Sequence, residues 1–163
     1  MAKKKVKKTP KQYITKGIFI TLALLLVIFI LSVTEPGSKV WQSFLDGRTQ
    51  KSWAPGFQWR IAKTHAFLGR PYLAAQAFLK YYTIYPKVNE ERTYEAQYQE
   101  MANLRDSEQY ETCLRKVEEY LEKYEASYET QHPGITPWYE KAKSLMQGLR
   151  MIPASKLYDH VVY

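Results

Sequence analysis

Three histidines, His65, His132 and His160, stand far apart in the chain, and none is spaced with another histidine, a cysteine or a carboxylate as a metal ligand set would be. The single cysteine, Cys113, excludes an internal disulfide and a thiol cluster, and its place among apolar helical positions reads as a small buried side chain. Carboxylates gather in "KVEEYLEKYEASYE", where Glu118, Glu119 and Glu122 are interleaved with Lys116 and Lys123. That interleaving describes a solvated helix face with i,i+4 pairs rather than an acid/base couple. No G-x-S-x-G, phosphate-binding glycine loop or nucleotide fingerprint occurs, so neither a catalytic set nor a cofactor or metal site is expected.

What is unusual is the aromatic content: fourteen tyrosines and four tryptophans. Tyr81, Tyr82 and Tyr85 cover more than half of a helix circumference, and Tyr120, Tyr124 and Tyr128 form an i,i+4 ladder. One hairpin cannot hide a helix that is aromatic on several sides, so these six tyrosines are expected to form a contact surface.

The elements that position them read as helices. Trp59, Ile61, Ala62, Ala66 and Phe67 define one helix ending near Gly69, and Pro71 opens another that Pro86 closes. A third is expected from about Asn89 to Leu104. A fourth follows to about Tyr128, with Asp106 or Ser107 as N-cap, and a fifth runs from Pro137 to near Gly148, capped by Thr136. No stretch alternates with period two long enough for a strand, so the domain is expected to be all-α, with about five helices in antiparallel hairpins. Small residues at Ala62, Ala66, Ala74 and Ala75 allow close helix approach.

The stretch from about Pro55 to Pro86 resembles a tetratricopeptide repeat: Gly69 lies in the turn, and Ala74, Phe78 and Pro86 fall at that family's offsets. A second copy, "EQYETCLRKVEEYLEKYEAS", repeats the positions of Pro71, Ala74, Phe78 and Tyr81 with Tyr110, Cys113, Val117 and Tyr120. Ala74 and Cys113 are 39 residues apart rather than the family's period of about 34, and the first helix lacks the usual tryptophan, glycine and tyrosine set. A plain antiparallel bundle accounts for the same periodicity. The resemblance implies a concave partner-binding groove lined by Trp59, Lys63 and Phe67 and by Glu95, Tyr98 and Arg105, with Ala66 and Ala102 between them; the alternative for Trp59 and Phe67 is hairpin core.

The amino-terminal third has another character. Seven lysines occupy the first sixteen positions without an acid, leaving the remainder with 17 basic and 16 acidic residues, so the net charge of +8 belongs to a tail and does not argue for nucleic acid. Residues 17–33, "GIFITLALLLVIFILSV", from Gly17 to Val33, carry no charge and are expected to span a bilayer as an uncleaved signal anchor over 17–34. The positive-inside rule then places residues 1–16 in the cytoplasm of a bacterium, with the rest beyond the inner membrane in the periplasm. A juxtamembrane helix and linker (35–56, with Val40, Trp41, Phe44 and Leu45 as its apolar face), a repeat-like domain (57–149) and a carboxyl-terminal tail (150–163) complete the expected layout. The whole points to a membrane-anchored, non-enzymatic interaction protein, an accessory, assembly or stabilising subunit of a larger envelope complex, with protein partners, the bilayer and no nucleic acid. Two alternatives are a regulatory or sensory protein that binds a peptide or small ligand in its groove and an enzyme whose site forms only on folding.

Overall fold

A computed structural model describes residues 10–157. Among them there is no strand: α1 (Pro10–Val33), α2 (Glu35–Asp46), α3 (Ala54–Phe67), α4 (Pro71–Ile84), α5 (Glu90–Asp106), α6 (Tyr110–Glu129), α7 (Thr136–Arg150) and the single turn α8 (Ala154–Leu157) follow in order. The fold is all-α. Seven of these helices have twelve residues or more, against an expected number of about five. Lys3, Lys4, Lys5, Lys7, Lys8, His160 and the closing "VVY" lie outside the described residues.

The chain divides into two units between Ser43 and Phe44. In the first, α1 is a 24-residue helix in which Ile18, Phe19, Ile20, Leu22, Leu24, Leu25, Leu26, Val27, Ile28 and Ile30 are between 46% and 69% exposed. No helix among the described residues is long and apolar enough to cross a membrane. That finding overturns the expected transmembrane anchor from Gly17 to Val33, and with it the inner-membrane location and the periplasmic placement of the helical domain. The physical reason lies in length: α1 begins with a polar turn carrying Lys11 and Lys16, and its uncharged stretch of seventeen residues rises only about 26 Å, against a hydrocarbon thickness of about 30 Å.

In the second unit, helices neighbouring in sequence are neighbours in space. α3 packs on α4, α4 on α5, α5 on α6 and α6 on α7, while α7 also touches α5 and α8 touches α6. Prolines near the starts of α3, α4 and α7 occupy positions where a missing N–H costs nothing. Asn89 caps α5, its Oδ1 accepting the Arg92 N–H at 2.8 Å. The expected caps of the next two helices fall elsewhere: α6 starts after Gln109, with Ser107 closing α5, and Ile135 precedes α7, whose Thr136 hydroxyl instead donates to the His132 carbonyl at 2.9 Å.

The ends of α3, α5 and α6 share one geometry. Each places a residue in the left-handed region, Gly69 (φ 64°), Glu108 (φ 62°) and Gln131 (φ 54°). In each case the following N–H reaches back five residues, from Arg70 to His65, Gln109 to Leu104 and His132 to Ser127. This closes the last turn of each helix and reverses the chain.

Two cores result. One joins Leu45, Ala54, Ala62, Ala74, Ala77, Phe78, Tyr81, Tyr85 and Ala96; the other joins Ala75, Tyr94, Met101, Leu104, Cys113, Val117, Tyr120 and the buried face of α7. Alanines at Ala62, Ala74, Ala77 and Ala96 let backbones approach closely, so that the buried Gln58 amide reaches the Ala77 carbonyl at 2.9 Å and ties α3 to α4. α5 contributes to both cores, Ala96 to the first and Tyr94, Met101 and Leu104 to the second.

Candidate functional site

The residues expected to line a groove occupy one residue series on α3 and another on α5. Lys63 Nζ meets Glu95 Oε1 at 2.6 Å and lies 5.0 Å from the Trp59 ring, so the α3 and α5 sets are joined there. Trp59 is half-buried, its ring edge-on to Phe78 (5.5 Å) and Tyr81 (5.1 Å), and is part of the hairpin core as much as of a surface. Phe67 stands apart at the end of α3, 89% exposed beside the Gly69 turn. Farther along α5, Tyr98 tilts against Trp138 of α7 at 5.7 Å and Arg105 pairs with its neighbour Asp106. Tyr98 and Arg105 line a shallow cleft of about 300 Å³ with Glu140, Lys141, Ser144 and Leu145 of α7, which the sequence did not bring into the groove.

The six contact tyrosines divide by burial. Tyr81, Tyr85 and Tyr120 are buried, whereas Tyr82, Tyr124 and Tyr128 are half-buried. Tyr128 stacks on Tyr139 at 4.3 Å and donates its hydroxyl to Glu140, which holds the phenol above its ordinary pKa.

A larger cleft, of about 450 Å³, opens between α4, α5 and α6. At its side lies Glu100, only 3% exposed, whose carboxylate accepts from the Tyr82 hydroxyl at 2.6 Å and pairs with Lys116 Nζ at 2.9 Å. A buried carboxylate is tolerable when both oxygens are satisfied in this way. Tyr94 donates to Glu90 at 2.5 Å, and the rings of Tyr94 and Tyr120 meet Tyr124 edge-on at 5.2 and 4.8 Å. Lys123 Nζ sits 4.9 Å from the Tyr124 ring. Tyr120 is 4% exposed, and its hydroxyl finds no hydrogen-bond partner among the described residues.

Burial raises the phenols of Tyr82, Tyr94 and Tyr120 above their ordinary range. The carboxylates of Glu100 and Glu90 add to that effect at Tyr82 and Tyr94. These phenols therefore stay neutral at physiological pH, where they donate hydrogen bonds and present ring faces. Cys113, fully buried, directs its Sγ at the Met101 carbonyl (3.1 Å), and burial chiefly pushes its thiol up to about 12. Among the described residues no group of three His, Cys, Asp or Glu side chains could hold a metal ion.

Glu100 and Lys116 escaped the sequence reading for different reasons. Lys116 stands among alternating charges that describe a solvated face, and only the approach of α5 shows that it turns inward; the i,i+4 pair that does form is Arg115–Glu119, at 3.3 Å. Glu100 carried a legible signal, since it falls in register with the buried stripe Thr93, Ala96, Asn103 and Leu104 of α5. No protein-family model, curated protein or solved structure matches this chain.

Proposed function

We propose that this protein is a non-enzymatic interaction protein, an accessory, assembly or stabilising subunit of a larger protein complex. One observation carries the reading: Ile18, Phe19, Ile20, Leu22, Leu24, Leu25, Leu26, Val27, Ile28 and Ile30 follow one another along α1 and are all exposed. An apolar surface that continues round a helix is a surface for association, because water around it is costly. The helical array of the second unit, read as tetratricopeptide-like, adds a groove at Lys63, Glu95, Tyr98 and Arg105 through which a partner would be held.

The test is purification of the full chain from its native source under non-denaturing conditions, followed by size exclusion and mass spectrometry. Co-migration with stoichiometric partners is the expected result, and a lone chain of 19.2 kDa overturns the reading. The groove is checked within the same assay. Lys63→Glu with Arg105→Glu should weaken partner capture while leaving helicity unchanged, because the ion pairs lost are exposed and worth at most about 1 kcal/mol each. Equal capture by this variant removes the groove.

A further inference from the structure

We propose that the cleft between α4, α5 and α6 receives a basic side chain, an ammonium or guanidinium, carried by a segment of a protein partner. The inference deepens the interaction reading above and rests on it. Charge in the cleft is uneven. Lys116 is committed to Glu100 at 2.9 Å, and Glu119 is taken by Arg115 at 3.3 Å. Glu90, on the exposed side of the lining, accepts the Tyr94 hydroxyl and has no ion pair among the described residues. Three carboxylates of the lining, Glu90, Glu100 and Glu119, outnumber its two ammonium groups, Lys116 and Lys123, and an entering cation meets Glu90 without an ion pair.

The rings favour the same guest. Tyr94 and Tyr120, both buried, meet the half-buried Tyr124 edge to face, and the ammonium of Lys123 already rests against the Tyr124 ring at 4.9 Å, so this ring cluster accommodates a cation. A cation over a tyrosine face is attracted by the negative centre of the ring. The third observation is the Tyr120 hydroxyl, buried in the lining without a partner. A buried polar group is normally satisfied. An N–H of a primary ammonium or guanidinium supplies the donor that this oxygen lacks, whereas a quaternary ammonium does not. Burial is the chief cause that raises the phenols of Tyr82 and Tyr94, and Glu100 and Glu119 at Tyr82 and Glu90 at Tyr94 add to it.

The experiment titrates the capped peptides Gly-Gly-Lys-Gly-Gly and Gly-Gly-Arg-Gly-Gly into the full chain, following tyrosine fluorescence and amide chemical shifts. Saturable binding is expected, weakened about fivefold or more by Glu90→Gln, by Tyr120→Phe and by acetylation of the peptide lysine. Tyr120→Phe removes an unpartnered hydroxyl, so the free variant should melt no lower than the parent, which separates lost binding from lost folding. Absence of saturable binding by either peptide overturns the proposal, as does equal binding of the acetylated peptide or by both variants. If the chain purifies with stoichiometric partners while both peptides fail, the cleft proposal falls and the subunit reading stands. If the peptides bind and the chain purifies alone, the subunit reading falls by itself.

Discussion

At the scale of the residue, Glu100 shows how one side chain can be both a cost and a constraint. Its burial is tolerated because Tyr82 and Lys116 occupy separate carboxylate oxygens, so removal of any one partner strands the others. Glu100→Ala should cost about 3 kcal/mol in urea unfolding, leaving Lys116 facing the cleft wall without its counter-charge. Combining Glu100→Leu with Lys116→Met should cost less than the two single changes added together, and strict additivity would show that the pair is not coupled. The tyrosines around this carboxylate were visible in the sequence as an excess, but their roles were not. Tyr82 and Tyr81 are adjacent, yet one donates into the cleft while the other is enclosed against Trp59, a difference set by which neighbouring helix each meets.

At the scale of the element, the three left-handed helix ends offer a comparison within one molecule. Glycine occupies that conformation at position 69 without a steric penalty, whereas Glu108 and Gln131 carry a Cβ there. Gly69→Ala should therefore destabilise by about 1 kcal/mol, and because no atom beyond its chain neighbours lies within 4 Å of the added methyl, the loss reports local backbone strain. Glu108→Gly and Gln131→Gly should each stabilise by about 1 kcal/mol, measured as a shift in the urea midpoint. The first turn was legible because its glycine announces it. The other two lack that sign, and the end of α5 was expected to supply the next N-cap at Asp106 or Ser107, three or four residues before α6 begins. Helix existence followed from apolar spacing, as in Pro71–Ile84, while helix ends depended on hydrogen bonds that charged and polar residues announce weakly. The candidate cleft was less legible still, since its walls come from three helices and its key ion pair joins positions 100 and 116 across a turn.

At the scale of the whole molecule, protons and cores set the limits of stability. In the unfolded chain the Cys113 thiol ionises near 9.0 and the phenols near 10.0, while in the fold burial raises Cys113 to about 12 and raises Tyr82, Tyr94 and Tyr120 as well. Below the unfolded values both states hold these protons, so the full stability is present. As pH rises past them the unfolded state releases protons first, and stability falls by about 1.4 kcal/mol per pH unit for each group until its folded pKa is reached. Urea midpoints should therefore drop steeply on the alkaline side, and Cys113→Ala and Tyr120→Phe should each flatten that slope. An unchanged slope in both variants would show that other groups control alkaline unfolding.

α5 is the wall shared by the two cores, presenting Ala96 to one and Met101 and Leu104 to the other. A row of hairpins laid end to end could in principle come apart one link at a time, like a chain. Here the central link is common property: loosening either side uncovers a face of α5 and weakens the other side's hold on it. The two cores are in consequence expected to give way together, so that a load applied at α3 is passed through α5 to α7.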